Sequence, residues 1–170
     1  MKKILFVAVL ALASVMAYAQ PRAIGARLGG FDGISYQHGF GDSNMLEVEA
    51  GWGLLGNIDN GIVRGASHTI QAAITYDWID PFGATVPWNE KGEWHWYLGV
   101  GGAGGWSVDI QQAGFIGAAG RCGIEYDFWF PLQLSIDYRP VVGALVYEGG
   151  ANCYWDLWMA ALGLSVRYKF

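Results

Sequence analysis

The sequence is short of charge. Asp, Glu, Lys and Arg make up 15% of its 170 residues, against about 25% in an ordinary soluble domain. Basic residues are the scarcer sign, ten against fifteen acidic ones. They form no cluster, which excludes the electrostatic footprint of a nucleic-acid binder. Long apolar runs are missing beyond the first nineteen residues. Nothing there approaches the ~20 consecutive apolar residues of a membrane-spanning helix. Cysteine occurs twice, at Cys122 and Cys153, too few for a disulfide framework. His38, His68 and His95 stand alone, without the Cys, His or carboxylate neighbours that metal-ligand spacing requires. No metal and no cofactor is expected.

What is present in abundance is apolar and small. The chain is 53% hydrophobic and 15% aromatic, with 26 glycines. So much apolar surface without a long run means that polar or small residues are interleaved with it. Residues 1–19 are the exception and read as a secretory signal peptide: Lys2 and Lys3, an apolar stretch from Ile4 to Met16, then the small-x-small site Ala17-Tyr18-Ala19. Cleavage after Ala19 leaves residues 20–170 as one domain. Without the two leading lysines the ten basic residues become eight against fifteen acidic ones, a net charge of −7.

The interleaving has period two. Near the end of the chain, Leu162, Leu164, Val166, Tyr168 and Phe170 alternate with Gly163, Ser165, Arg167 and Lys169. One face is apolar and the other polar, the pattern of a strand and not of a helix. The alternation carries back through Ala160 and Trp158. It recurs over Leu46–Trp52, Ile70–Trp78, Ile116–Phe128 and Leu132–Tyr138, and less strongly elsewhere. Eight strands are expected near 22–30, 33–41, 44–54, 67–78, 94–106, 115–128, 132–143 and 155–170, and no helix after the signal peptide. Gly41-Asp42-Ser43-Asn44 and the Pro131 region read as tight turns. Asn57–Gly65 and Gly149–Asn152 read as polar or glycine-rich loops, and Asp80–Glu93, with Pro81 and Pro87, as a long connection.

The aromatics collect at strand ends. Phe40, Trp78, Phe82, Trp88, Trp94, Trp96, Phe128, Trp129, Phe130, Tyr168 and Phe170 fall at one end. Trp52, Trp106, Phe115, Tyr147, Tyr154, Trp155 and Trp158 fall at the other. Two aromatic bands flanking an outward apolar zone suit a barrel in a bilayer, because these rings favour the membrane interface. The expected fold is all-β: a transmembrane antiparallel up-and-down β-barrel of about eight strands.

Across the mature length the chain resembles the small eight-stranded outer-membrane barrels, the class of the outer-membrane protein A membrane domain and outer-membrane protein X. The terminal LGLSVRYKF is similar to the barrel-assembly signal of that class, carried by Leu162, Leu164, Val166, Tyr168 and Phe170. WHWYLGVGGAGG and GIEYDFWFPLQLSIDYRP look like a glycine- and tryptophan-rich group of outer-membrane barrel domains. The resemblance implies residence in the outer membrane of a Gram-negative envelope. It also implies contact with outer-membrane lipids, and passage through periplasmic chaperones and the barrel-assembly machinery. It implies no activity.

The polar face carries Arg27, Arg121, Arg139, Arg167 and Lys169 against Glu47, Glu49, Asp77, Glu125, Asp127 and Asp137. Eight strands leave an interior that side chains fill, and charges withdrawn from water need partners. A salt-bridge network of Arg27, Glu47, Glu49, Arg121, Glu125, Asp137, Arg139 and Arg167 is expected to close the lumen. Parity allows Glu125 to sit opposite Asp137, with Arg139 diagonal. Ser67-His68 lacks an acidic third member for hydrolysis. Gly99–Gly102 reads as a strand glycine run rather than a phosphate loop. Cys122, mid-strand, and Cys153, in the last outer loop, lie on the order of 20 Å apart along the strands and are expected to stay free thiols. The expected role is structural or surface-interacting, without catalysis. A lipid-modifying or lipid-binding barrel enzyme and a small-solute channel are the alternatives.

Overall fold

The computed structural model describes residues 22–59, 62–80, 92–108, 113–157 and 161–170. Residues 1–21, which include the expected signal peptide, Phe82, Trp88, Trp158, Ala160 and most of the 80–93 connection lie outside them. Ten strands form one antiparallel sheet: β1 Arg22–Gly29, β2 Phe31–Gly39, β3 Asn44–Asp59, β4 Ile62–Ile79, β5 Gly92–Ser107, β6 Ala113–Phe128, β7 Leu132–Tyr138, β8 Val141–Tyr147, β9 Gly150–Asp156 and β10 Leu162–Lys169. The sheet closes on itself. β1 pairs with β10, from Ala23↔Lys169 to Gly29↔Gly163, and β5 pairs with β6. β7 with β8, and β9 with β10, each make up a single stave of the wall, so the barrel has eight staves.

The wall is apolar outside, and its inside is largely polar and charged beside one apolar cluster of Ala73, Ala103, Phe115, Ala119, Val141 and Leu145. Ile34, Ile70, Val100, Ile116 and Leu164 face outward and are exposed, while Arg27, Glu47, Arg121, Asp137 and Arg167 are buried inside. A soluble protein does the reverse. An apolar outer face around a charged interior is the arrangement of a barrel built for a lipid surrounding. The outward rings form two bands. At the end holding Arg22 and Phe170, Phe40, Tyr76 and Trp78 pack ring against ring in sequence, as do Trp94, Tyr126 and Phe128. At the other end Trp52, Trp106 and Trp155 are each more than half exposed. Ten residues separate Trp96 from Trp106 on β5. At ~3.4 Å per residue and a tilt of about 40°, that is roughly 26 Å, close to the ~25 Å apolar band of a membrane barrel.

Three sequence expectations need correction. The described residues of Asn57–Gly65 are strand, not loop. β3 and β4 continue into it to Asp59 and from Ile62, with Ile58 opposite Val63 and one register shift between Gly56 and Ile58. Gly150–Asn152 is likewise strand, and the turn is Glu148–Gly149, where Gly149 adopts φ 102°. Cys153 therefore lies on β9, opposite Ala144. Both cysteines are exposed and unbridged.

The third correction concerns the last two staves, expected to be continuous. The first is interrupted at Arg139–Pro140, where proline has no N–H for the ladder. Gly120 N–H still donates to the Pro140 carbonyl, and Arg139 N–H donates to that of Ala161. The other stave is longer than its neighbour across the break. Leu162 opposes Tyr138 and Asp156 opposes Val141. Six steps on one side thus match three on the other. An odd surplus exchanges the two faces of a strand. Even-numbered residues point outward in β10, and odd-numbered ones in β9. Trp155 is outside, and Tyr154 turns inward to stack on Phe115 with ring centroids 4.5 Å apart.

Candidate functional site

The lumen is crossed by one connected lattice of arginines and carboxylates. It begins near the chain termini with Arg167 of β10. Its Nε donates to Ser35 Oγ at 2.7 Å and its Nη1 to Ser135 Oγ at 2.7 Å, and its Nη2 meets Glu47 at 2.5 Å. Glu47, on β3, also accepts from Ser35 Oγ at 2.5 Å and Gln37 Nε2 at 2.9 Å, and it pairs with Arg121.

Arg121 of β6 sits at the centre. Its Nη1 meets Asp77 at 2.9 Å, and its Nη2 donates to the Tyr97 hydroxyl at 3.0 Å and reaches Asp137 at 3.5 Å. Its guanidinium lies 4.5 Å from the centre of the Tyr97 ring. Arg27 of β1 then links Asp137, at 2.5 Å, to Glu49, at 3.0 Å. Glu49 passes the chain of contacts to Arg139, which lies over the Phe31 ring.

Such burial of charge is tolerable because each ion of the lattice is met by opposite charge, while Arg27 Nε, Glu49 Oε1, Asp77 Oδ1, Arg121 Nε and Asp137 Oδ2 are buried without a hydrogen-bond partner. Glycine makes it sterically feasible. A Cβ at Gly163 would fall on the Arg27 guanidinium, so the inward face spares a side chain where an arginine crosses.

Seven of the eight expected network residues meet in this lattice: Arg27, Glu47, Glu49, Arg121, Asp137, Arg139 and Arg167. Glu125 does not. The register places Ser135, not Asp137, opposite Glu125, and Gly123 opposite Asp137. The three-residue link Trp129–Pro131 sets the pairing two residues away from the expected one. Arg139 is drawn instead to Glu49. Glu125 is 3% exposed, and it forms no hydrogen bond and no ion pair within 4 Å among the described residues.

Sequence reasoning missed Tyr97 and Asp80. Tyr97 falls on the inward parity of β5, but an inward aromatic in a polar lumen gives no signal until Arg121 is seen beside it. Asp80, at φ 46°, ends β4. Its carboxylate accepts from Trp96 N–H at 3.1 Å and lies 2.6 Å from His95 Nδ1.

At the terminal mouth a cavity of about 320 Å³ opens below the lattice. Glu125, Asp127, Glu93, His95, Lys169 and Arg22 are among its lining residues, and Lys169 is paired with Asp127. Its described lining holds no serine, threonine or cysteine that His95 could activate. Of the other histidines, His38 packs edge-on to Phe40 and His68 is exposed near the far end. The Ser67 side chain lies outside the described residues. Leu162, Leu164, Val166, Tyr168 and Phe170 all lie on the outer face, each at least 40% exposed.

A closed antiparallel barrel of eight staves, polar within and apolar without, is the class of protein these features define. No protein-family model and no curated protein matches the chain. Among solved structures it is similar to a major outer membrane protein from Thermus thermophilus, at 11% identity and a TM-score of 0.42, over 90% of this chain and 100% of that one. So distant a likeness says nothing of activity or address.

Proposed function

We propose that the chain is an integral outer-membrane β-barrel with a closed lumen, serving a structural or surface-interaction role rather than catalysis or conduction. The observation that carries this reading is the unbroken lattice from Arg167 through Glu47, Arg121, Asp137, Arg27 and Glu49 to Arg139. Ions crossing the barrel would have to separate buried pairs, at a cost of several kcal/mol each.

The address is supported by the outward apolar zone between aromatic bands. Short links join β2 to β3 and β6 to β7 at the terminal end, where the longer 80–91 connection also lies, while β3 and β4 run on beyond Trp52 at the other. In barrels of this kind the short turns face the periplasm. On this reading residues 1–19 are an export signal removed after Ala19. The β10 outer face, ending in Phe170, is what the assembly machinery engages.

Planar-bilayer recording tests the closed lumen. Refolded barrel is expected to give no unitary current steps, and steady conductance by the wild-type protein would replace this reading with a channel. Expression in a Gram-negative host tests the address. Protein whose mass corresponds to residues 20–170 is expected in the outer-membrane fraction, and soluble or uncleaved protein would reject it. Removal of Phe170 is expected to lower the yield of the heat-modifiable folded band.

A further inference from the structure

We propose that the cavity at the terminal mouth binds a small organic cation, a protonated amine held by Glu125 and Asp127. The argument begins with charge balance. Among the described residues the buried cations are Arg27, Arg121, Arg139 and Arg167, and the buried anions are Glu47, Glu49, Asp77, Asp137 and Glu125. The four arginines match the first four carboxylates, each of which lies within 4 Å of at least one of them. Glu125 is surplus. One of its oxygens is enclosed without a hydrogen-bond partner, and the side chain lines the cavity. Asp127, two residues on and facing the same way, spends one oxygen on Lys169, while its other is enclosed and unpartnered.

Burial of an unmatched carboxylate against open space is costly, and a donor of opposite charge relieves it. The cavity suits an organic cation. Its roughly 320 Å³ holds on the order of ten water-sized groups. Ala23, Met45 and Ile79 give it apolar wall for a hydrocarbon stem. A metal ion fits less well, because the described residues gather no three His, Cys, Asp or Glu around one point. The basic groups that also line it are Lys169, engaged by Asp127, His95, engaged by Asp80, and Arg22. Lys169 is the internal competitor for Asp127.

Calorimetric titration of the refolded barrel in detergent at neutral pH tests the proposal, with 1,4-diaminobutane as probe and 1,4-butanediol as its uncharged counterpart. Saturable one-site binding of the diamine alone is expected. Glu125→Gln is expected to weaken it about tenfold or more, as loss of a charged hydrogen-bond partner does. Glu148→Gln, at the far hairpin turn, is expected to leave it unchanged. Lys169→Met frees Asp127 and is expected to tighten binding, a change that a merely structural role for these residues would not produce. Absence of saturable binding, equal binding of the diol, or undiminished binding by Glu125→Gln would overturn the proposal. Should Glu125→Gln fail to refold, Lys169→Met decides: unchanged or weaker binding overturns it.

Discussion

From Arg22 to Phe128 the wall is laid down as three hairpins whose inward and outward residues alternate, and their one register shift is confined to the tip of the second, beyond the pair Gly56↔Ala66. The final two staves each stop partway. β7 and β8 resume after Arg139–Pro140 in step with β6: Cys122↔Tyr138 on one side of the break and Ala119↔Val141 on the other keep a common register. β9 and β10 do not keep step with them, because three surplus residues separate the two segments. The first kind of break costs a hydrogen bond and changes nothing else. The second reverses which residues meet lipid. In a membrane barrel parity belongs to a segment between irregularities, not to a stave as a whole.

The comparison is broken most severely in the lumen. Arg121, from an uninterrupted stave, meets carboxylates on β3, β4 and β7. Arg139, at the interruption, forms an ion pair with Glu49 alone among the described residues, and Glu49 keeps Arg27. Arg121→Met is expected to cost about 3–5 kcal/mol, the cost of stranding buried charge. Arg139→Met is expected to cost about 1–2 kcal/mol. Reversible unfolding from lipid vesicles measures both, and equal losses would mean the lattice has no centre.

Parity in β10 comes next. Leu164 faces lipid and Ser165 the lumen. A charge on the lipid face near the midplane costs about 2–4 kcal/mol. Leu164→Arg should therefore lower stability more than Ser165→Arg in the same assay, and the reverse order would exchange inside and outside.

Parity in β9 gives a smaller effect. Tyr154→Ala removes the ring stacked on Phe115 and is expected to cost about 2 kcal/mol. Trp155→Ala, on an exposed ring, should cost less in detergent. Were the last stave unbroken, the two would trade places. Pro140→Ala is the mildest change. It restores a donor opposite the Gly120 carbonyl and should stabilise by about 0.5–1 kcal/mol, read as a small rise in the denaturant midpoint.

The sequence carries the alternation of β10 and the inward set of charges plainly, because a period of two over nine residues has no helical counterpart and because parity alone assigns Arg27, Glu47 or Arg167 to the polar face. Pairing is less legible. Glu125 and Asp137 share a face, yet the exact register depends on how Trp129–Pro131 closes the turn, and a shift of two residues preserves every parity. Asn57 and Gly65 look like loop by composition but lie within β3 and β4, at the register shift between the pairs Gly56↔Ala66 and Ile58↔Val63. The reversal between Asp156 and Leu162 was hidden for the same reason: alternation read backward from Phe170 assumes that no residue is spare.

The lattice also has a place in time. Arg27 finds Asp137 across 110 positions of chain, and Arg167 finds Ser35 across 132. Neither contact can form before the last stave docks beside the first. Until that moment the arginines and carboxylates of the future interior need water, since nothing else is available to solvate them. Zipping the seam between β1 and β10 and drying the lumen are therefore one event. A chain stalled with the seam open would hold a wet, charged trough against hydrocarbon, and that penalty favours completing the circle over lingering half-built.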